Sequence, residues 1–324
     1  MRAVTGPSAP PIQVREAGRR FGPVVALEGV SFDVPQGAIL GLIGPSGSGK
    51  TTMIRLLTGT LRPTAGAVRV LGEIPHAFRS RTRERIGYMP QDFVLYPDLS
   101  AYQNLVFISS LFGLGWWRRR RSIRRHLQLF GLWHVRHRRA GDLSGGMRRR
   151  LALASAVVHD PLVLFLDEPS AGIDPLLRRD IWDELRRLRD AGRTLLVTTQ
   201  HVSEAEHCDG VALVAEGQLV ALAAPDRLRE VAFGGELVTI RTDRPADPAA
   251  LRHLPGVREV HVRAPRELLA VIDHAGAAAP RIVEHLRSLD VGTLSVEEHV
   301  PSLEETFAEL VLRHRRVRTG ERSA

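Results

Sequence analysis

Cysteine is almost absent from this chain: Cys208 is the only one in 324 residues. An internal disulfide is therefore impossible, and so is a metal site built from several thiolates. A lone thiol fits a reducing, cytoplasmic setting and reads as a small buried side chain rather than a nucleophile. Long apolar runs are missing too. The best of them, Leu105 to Trp117, falls short of the ~20 apolar residues that a membrane-spanning helix needs. No apolar core follows Arg2, so no secretory signal is expected, and residues 1–11 read as a flexible N-terminal tail. Disorder is excluded as well, because 44% of the residues are hydrophobic and 25% charged.

Lysine is the other scarcity. Of 45 basic residues only Lys50 is a lysine, and the formal net charge is +9. Such a charge can mark a nucleic-acid or anionic-membrane partner. So lopsided a ratio reads more simply as a coding bias towards arginine. That bias makes Lys50 informative, since it stands in Gly44-Pro-Ser-Gly-Ser-Gly-Lys50-Thr51, where a phosphate-binding loop requires a compact ammonium rather than a planar guanidinium.

With 324 residues, two domains are expected. Ile12 to Ala17, Leu27 to Phe32 and Ala38 to Ile43 read as strands, with turns at Gly22-Pro23 and at Pro35 to Gly37. A helix follows from Thr51 to Leu57, and Val68 to Leu71 and Ile86 to Met89 are further strand candidates. Between Gln91 and Asp142 the pattern turns helical, with a capping box at Ser100 to Gln103 and an arginine-rich helix from about Trp117 to Phe130. Leu162 to Leu166 and Leu195 to Thr199 are short apolar runs of the kind found in parallel strands buried on both faces, separated by a helix from about Pro175 to Asp190. The alternation predicts an α/β fold with a helical insertion at about 92–160. Beyond Pro225 the order changes to β-α-β-β-α-β over residues 236–313, a ferredoxin-like α+β arrangement, with a last helix from about Ser302 to Arg313 and a basic tail over 314–324.

The chemistry gathers around the glycine loop. Gly44, Pro45, Ser46, Gly47, Ser48 and Gly49 would wrap phosphates with backbone N–H groups, and the helix that starts at Lys50, Thr51 and Thr52 adds its positive N-terminus. Lys50 is expected to reach the β- and γ-phosphates and the Thr51 hydroxyl to ligate Mg²⁺. Leu162 to Leu166 then runs into Asp167 and Glu168. Asp167 would hold Mg²⁺ through water, and Glu168 would polarise an attacking water as general base.

Leu143-Ser144-Gly145-Gly146, opening a helix just before that strand, closely resembles the signature motif of ABC ATPases. The resemblance covers about 12–226, roughly two-thirds of the chain. It implies a P-loop ABC ATPase core, with a mixed sheet, an antiparallel β-subdomain and the helical insertion, followed by the small C-terminal domain. It also implies further roles. Gln91 resembles the Q-loop glutamine that contacts Mg²⁺ and the attacking water. Ser144, Gly145 and Gly146 would face ATP held by the loop of a second subunit. Ser170 to Asp174 resembles the D-loop that crosses the dimer interface. His201 matches the switch histidine at the γ-phosphate, and Phe21 stands where an aromatic ring stacks on adenine. Met147 replaces the glutamine common at the end of the signature, and Phe21 the more usual tyrosine.

What the resemblance implies about function is an ATP- and Mg²⁺-dependent ATPase subunit at the cytoplasmic face of the cell membrane. It would act with an integral-membrane permease and a second ATPase subunit, with a homodimer as the working form. Met147 followed by Arg148 to Arg150, together with Pro301 to Phe307 and the C-terminal domain, resembles subunits that energise export of drugs, antibiotics or lipids. The alternatives are an importer subunit, or a non-transport ABC ATPase acting on nucleic acid or ribosomes. Against the latter stand a single ATPase unit and only some fifty residues between Gln91 and the signature, so no specific nucleic acid is expected. Trp116-Trp117 with Arg118 to Arg121 lies in the insertion and is expected near the permease or lipid headgroups.

Overall fold

Strand-forming residues come first in the chain and fold as a hairpin. In the computed structural model, which describes residues 9–92 and 95–319, β1 (Ile12–Phe21) turns at Gly22-Pro23 into β2 (Val24–Val34). The two pair antiparallel with bulges near Ala17 and Arg19. β3 (Ile39–Ile43) leads through the glycine loop into α1 (Lys50–Leu57), and β4 (Ala65–Val70) returns to pair with β1. The order β2-β1-β4 is the antiparallel β-subdomain that the family resemblance implied. Residues 1–8 of the expected tail lie outside the described residues.

A short α2 (Ser80–Arg83) precedes β5 (Ile86–Met89). Three helices follow: α3 (Ala101–Leu111), α4 (Trp116–Leu129) and α5 (Gly145–Val157). The capping box forms as read, with the Gln103 N–H donating to Ser100 Oγ at 3.2 Å and the Ser100 N–H to Gln103 Oε1 at 2.8 Å. Then come β6 (Val163–Asp167), α6 (Pro175–Asp190) and β7 (Thr194–Thr199). Every residue of β3, β6 and β7 is buried, as their apolar runs required.

Two strands escaped the sequence reading. β8 (Gly210–Ala215) and β9 (Gln218–Ala223) form a hairpin on the far edge of this sheet, whose order is β5-β6-β7-β3-β8-β9. Its first five strands run parallel and β9 runs antiparallel. The hairpin turns through Glu216 and Gly217, both at positive φ, a primed turn that suits the strand twist. The apolar side chains of β1 and β2, α1, and one face of this sheet share a core that includes Val14, Phe32, Ile54, Leu57 and Phe165.

The chain divides into two compact units at Pro225/Asp226. The second begins with α7 (Leu228–Phe233) and continues β10 (Glu236–Thr242), α8 (Pro248–Leu251), β11 (Val257–Ala264), β12 (Glu267–Ile272), α9 (Ala275–Ser288) and β13 (Thr293–Glu298). The sheet order β11-β12-β10-β13, antiparallel throughout, is that of a ferredoxin-like fold. Its own core is built from Val238, Ile240, Val260, Leu268, Ile282 and Leu286. The last helix, α10 (Leu303–Thr319), corrects the expected tail: much of the arginine-rich stretch from residue 314 is helical, and residues 320–324 lie outside the described residues.

Cys208 is buried behind β3, where its Sγ lies 2.7 Å from the point that a Cβ on Gly41 would occupy. Burial pushes its thiol up to about 12, and the nearby Glu204 and Asp209 carboxylates add to the effect. Because the thiolate is the nucleophile, a raised value means a silent thiol at neutral pH. Native protein at about pH 8 should therefore react with iodoacetamide at least about a hundredfold more slowly than the unfolded chain. Similar rates would show that Cys208 is not held in this environment.

Candidate functional site

Four parallel strands end side by side, and their register lines up the ends. Leu42 of β3 pairs with Thr198 of β7, Thr198 with Asp167 of β6, and Leu166 of β6 with Met89 of β5. The glycine loop, Gln200 and His201, Asp167 and Glu168, and Gln91 all follow directly from these ends. A parallel sheet collects its loops at the carboxyl edge in just this way, which is where such sheets bind ligands.

The loop from Gly44 to Gly49 is shaped by its glycines. Gly49, the residue before α1, sits at φ 103°, a conformation that an L side chain resists. A Cβ on Gly44 would lie 2.0 Å from the Val214 carbonyl oxygen. Lys50 is buried and its Nζ donates to the carbonyls of Gly44 at 2.7 Å and Pro45 at 2.9 Å. Burial lowers the pKa of its ammonium, while the Glu168 and Asp167 carboxylates oppose that shift. Ser48 Oγ is buried with no hydrogen-bond partner, and Thr51 and Thr52 are half-buried at the start of α1.

Asp167 is buried to 1% exposure, and the hydroxyl of Thr198 donates to its Oδ1 at 2.5 Å. Its Oδ2 is buried without a hydrogen-bond partner. An ionised oxygen left in that state is costly unless something cationic or a donor comes to it. Glu168 leaves the strand at φ 51°, an uncommon conformation for a residue with a side chain and one that typically costs about 1–3 kcal/mol. The Thr198 hydroxyl and carbonyl hold its amide at 2.9 and 3.2 Å. Amides bracket its carboxylate: Gln200 Nε2 donates to Oε1 at 2.6 Å, and Gln91 Nε2 approaches Oε2 at 3.4 Å. Among the described residues Glu168 enters no salt bridge.

Gln200, which sequence reasoning passed over in favour of its neighbour His201, also accepts from the Ser46 hydroxyl at 2.8 Å. It thereby ties the glycine loop to Glu168. His201 itself is exposed; its backbone N–H donates to Thr199 Oγ1 at 3.0 Å, and it joins Glu168, Ala171, Thr199 and Gln200 around a cleft of about 130 Å³. Behind it, Glu204 is buried and its Oε1 accepts from the Ser170 hydroxyl at 2.5 Å, with Arg178 Nε at 3.6 Å. The segments around Ser170 and His201 are thus linked.

Three sequence-predicted groups stand apart. Ser144 is exposed and caps α5, its Oγ accepting from the Met147 N–H at 3.3 Å; among the described residues no hydrogen bond joins Ser144, Gly145 or Gly146 to the glycine loop. Asp174 caps α6 through the Leu177 N–H at 3.0 Å. Phe21, 42% exposed at the end of β1, has the Arg19 guanidinium 4.6 Å over its ring.

Arg149, hidden in sequence within a run of three arginines, is the unforeseen member. Its guanidinium leaves the second turn of α5 and donates to four carbonyls: Gln91 at 2.9 Å, Pro169 at 2.9 Å, Asp167 at 3.3 Å, and Glu168. One side chain fastens the helix behind the signature to the Gln91 segment and to the turn that aims Glu168. Hydrogen bonds from a charged donor contribute about 1.5–3 kcal/mol each. Arg149→Ala should therefore speed amide exchange over residues 167–170 by about tenfold or more, leaving α1 unchanged. Unaltered exchange there would mean that the turn holds itself.

Comparison with known proteins follows the same features. Residues 27–171 match the family model described as ABC transporter. The chain is 40% identical over 218 residues to the probable multidrug ABC transporter ATP-binding protein YbhF of Escherichia coli K12, covering 67% of this chain but only 38% of that relative's length. It is 35% identical over 309 residues to the daunorubicin resistance ATP-binding protein DrrA3 of Streptomyces coeruleorubidus, covering 95% of this chain and 98% of that one. Among solved structures, cbiO1 from Clostridium perfringens, part of the ABC transporter complex cbiONQ, has a TM-score of 0.63 at 27% identity over 69% of this chain and 94% of its own. Sharing the family's loop, signature segment and paired carboxylates in order, and nearly its whole length with one such relative, the chain belongs to the ABC transporter ATP-binding protein family.

Proposed function

We propose that this chain binds and hydrolyses ATP as the nucleotide-binding subunit of an ABC exporter, coupled to a separate membrane permease at the cytoplasmic face of the membrane. The observation that carries the reading is the row of strand ends at which Lys50, Asp167, Glu168, Gln91 and His201 stand around one glycine loop.

In this reading Gly44 to Gly49 and Lys50 hold the phosphates of ATP, and Phe21 offers the adenine the ring face that Arg19 leaves open. The donor set suits a hard divalent cation: Thr51 is a hydroxyl at the loop, Gln91 an amide, and Asp167 has one oxygen fixed by Thr198 and the other without a protein donor. Bound Mg²⁺ would neutralise charge on the phosphates. Glu168, whose carboxylate oxygens meet the side-chain amides of Gln91 and Gln200 and enter no salt bridge among the described residues, is the group we assign to accept a proton from an attacking water. His201, exposed beside it, is free to meet the terminal phosphate.

Ser144, Gly145, Gly146 and Asp174 fit a second copy of the site. Ser144, Gly145 and Asp174 are exposed and Gly146 half-buried at two helix starts; among the described residues none of them hydrogen-bonds to the loop of its own chain, and a helix N-terminus favours an anion. A head-to-tail dimer in which each signature completes the other's loop gives ATP more contacts in the closed state than in the open one. ADP, lacking the terminal phosphate, gives fewer, and that difference is what can drive a permease. A groove of about 530 Å³ lined by Tyr88, Ile108, Phe112 and His159 is our candidate seat for the permease. Export of a drug, antibiotic or lipid-like molecule follows from the company this chain keeps with multidrug and daunorubicin resistance proteins.

Glu168→Gln should bind ATP within about threefold of the parent chain while steady-state hydrolysis falls about a hundredfold or more. Near-normal hydrolysis would remove Glu168 from the role of base.

A further inference from the structure

Between Leu99 and Gly141 the chain carries nine arginines and not one Asp or Glu. At its average of 36 carboxylates in 324 residues, a stretch of this length would hold about five. A coding bias towards arginine accounts for the arginines but not for the missing acids.

The structure gathers six of these arginines on α4. Arg118, Arg120, Arg121, Arg124 and Arg125 are exposed, and Arg119 is half-buried, donating to Ser110 Oγ at 2.5 Å and so tying the start of α4 to the end of α3. Among the described residues none of the six forms a salt bridge. At the head of the helix stand Trp116, 53% exposed, and Trp117, 78% exposed. Trp116 lies seven residues before Ile123, on the helix face that is buried further along; at the first turn that face has run past its cover. Leu111 at the end of α3 adds a further exposed apolar side chain.

Two exposed indoles leading a helix free of acidic side chains are the composition that settles at a membrane surface. Indoles favour the headgroup level, arginines the lipid phosphates, and each reinforces the other. Single-stranded nucleic acid fits less well. It stacks its bases on open ring faces, whereas Trp116 and Trp117 meet edge to face at 4.4 Å, and Arg120 lies over the Trp116 ring at 5.8 Å. We propose that the first turn of α4 is a membrane contact, in which Trp116 and Trp117 enter the headgroup layer of an anionic bilayer and Arg118, Arg120 and Arg121 bind its phosphates. The contact goes beyond the transport reading and does not depend on it, since the purified chain would make it without a permease.

The test is sedimentation of the full chain with phosphatidylcholine vesicles, with and without about one-third phosphatidylglycerol, at low and high salt. Partitioning should be at least about tenfold stronger on the anionic vesicles and should weaken as salt rises. W116S/W117S and R118S/R120S/R121S should each lose about tenfold, whereas R118K/R120K/R121K keeps most of the binding; Arg119 is left in place so that α3 and α4 stay joined. Thermal unfolding at the parent temperature would show that the variants remain folded. Equal binding to neutral vesicles, no binding, or parent-like binding by the serine variants would overturn the proposal. So would variants that lose a co-purifying membrane subunit or an oligonucleotide while binding vesicles as before, which would assign the patch to that partner instead.

Discussion

Two adjacent carboxylates buried at the end of one strand repel each other and have lost most of their water, so everything around Asp167 and Glu168 has to make their position tolerable. Thr198 does much of this from the neighbouring strand: its hydroxyl donates to Asp167 Oδ1 and accepts from the Glu168 amide, and its carbonyl accepts from that same amide. The parallel pairing that sets Asp167 opposite Thr198 is therefore more than scaffolding. Lys50 supplies the compensating positive charge from the start of α1, after the loop that follows β3, and burial lowers its pKa while the two carboxylates hold it up. One Asp167 oxygen is left without a protein donor, and the proposed function assigns it to a metal held on the phosphates.

The same turn is also where separate segments meet. Gln200 joins the glycine loop to Glu168, Gln91 approaches from the end of β5, Glu204 ties Ser170 to the segment after β7, and Arg149 reaches in from α5 to hold four carbonyls. A displacement of α5 relative to the strands would pull on the Glu168 turn directly, because Arg149 is bonded to both sides of it. The non-glycine φ of 51° at Glu168 means that the turn is held by these partners rather than by its own preference. The helix α5, the Gln91 segment and the Glu168 turn are thus mechanically connected within one chain, and under the proposed function that connection would give dimer closure a physical route to the proposed base.

Much of this was legible in the sequence. The apolar run at Leu162 to Leu166 and the largely apolar one at Leu195 to Thr199 announced doubly buried strands, the capping box announced α3, and a single lysine among 45 basic residues announced the loop. The small domain's strand and helix order also read correctly, because its β-branched runs alternate cleanly with helical ones. The hairpin of β8 and β9 was hidden because each strand carries two alanines among its six residues, so the runs do not separate strand from helix. Thr198 did leave a signal, a hydroxyl on a strand buried along its whole length, which asks for a partner. Gln200, Glu204 and Arg149 left none: their importance comes from which carbonyl or carboxylate the fold sets beside them, and spacing does not encode that.

The proposed sharing of the site closes the signature of one copy over the loop of another. It is tested most directly by light-scattering mass of purified Glu168→Gln protein with and without ATP and magnesium. A mass that doubles with ATP but not with ADP is the predicted result. A protein that binds ATP yet keeps the monomer mass at every concentration would contradict a site completed by a second copy of this chain.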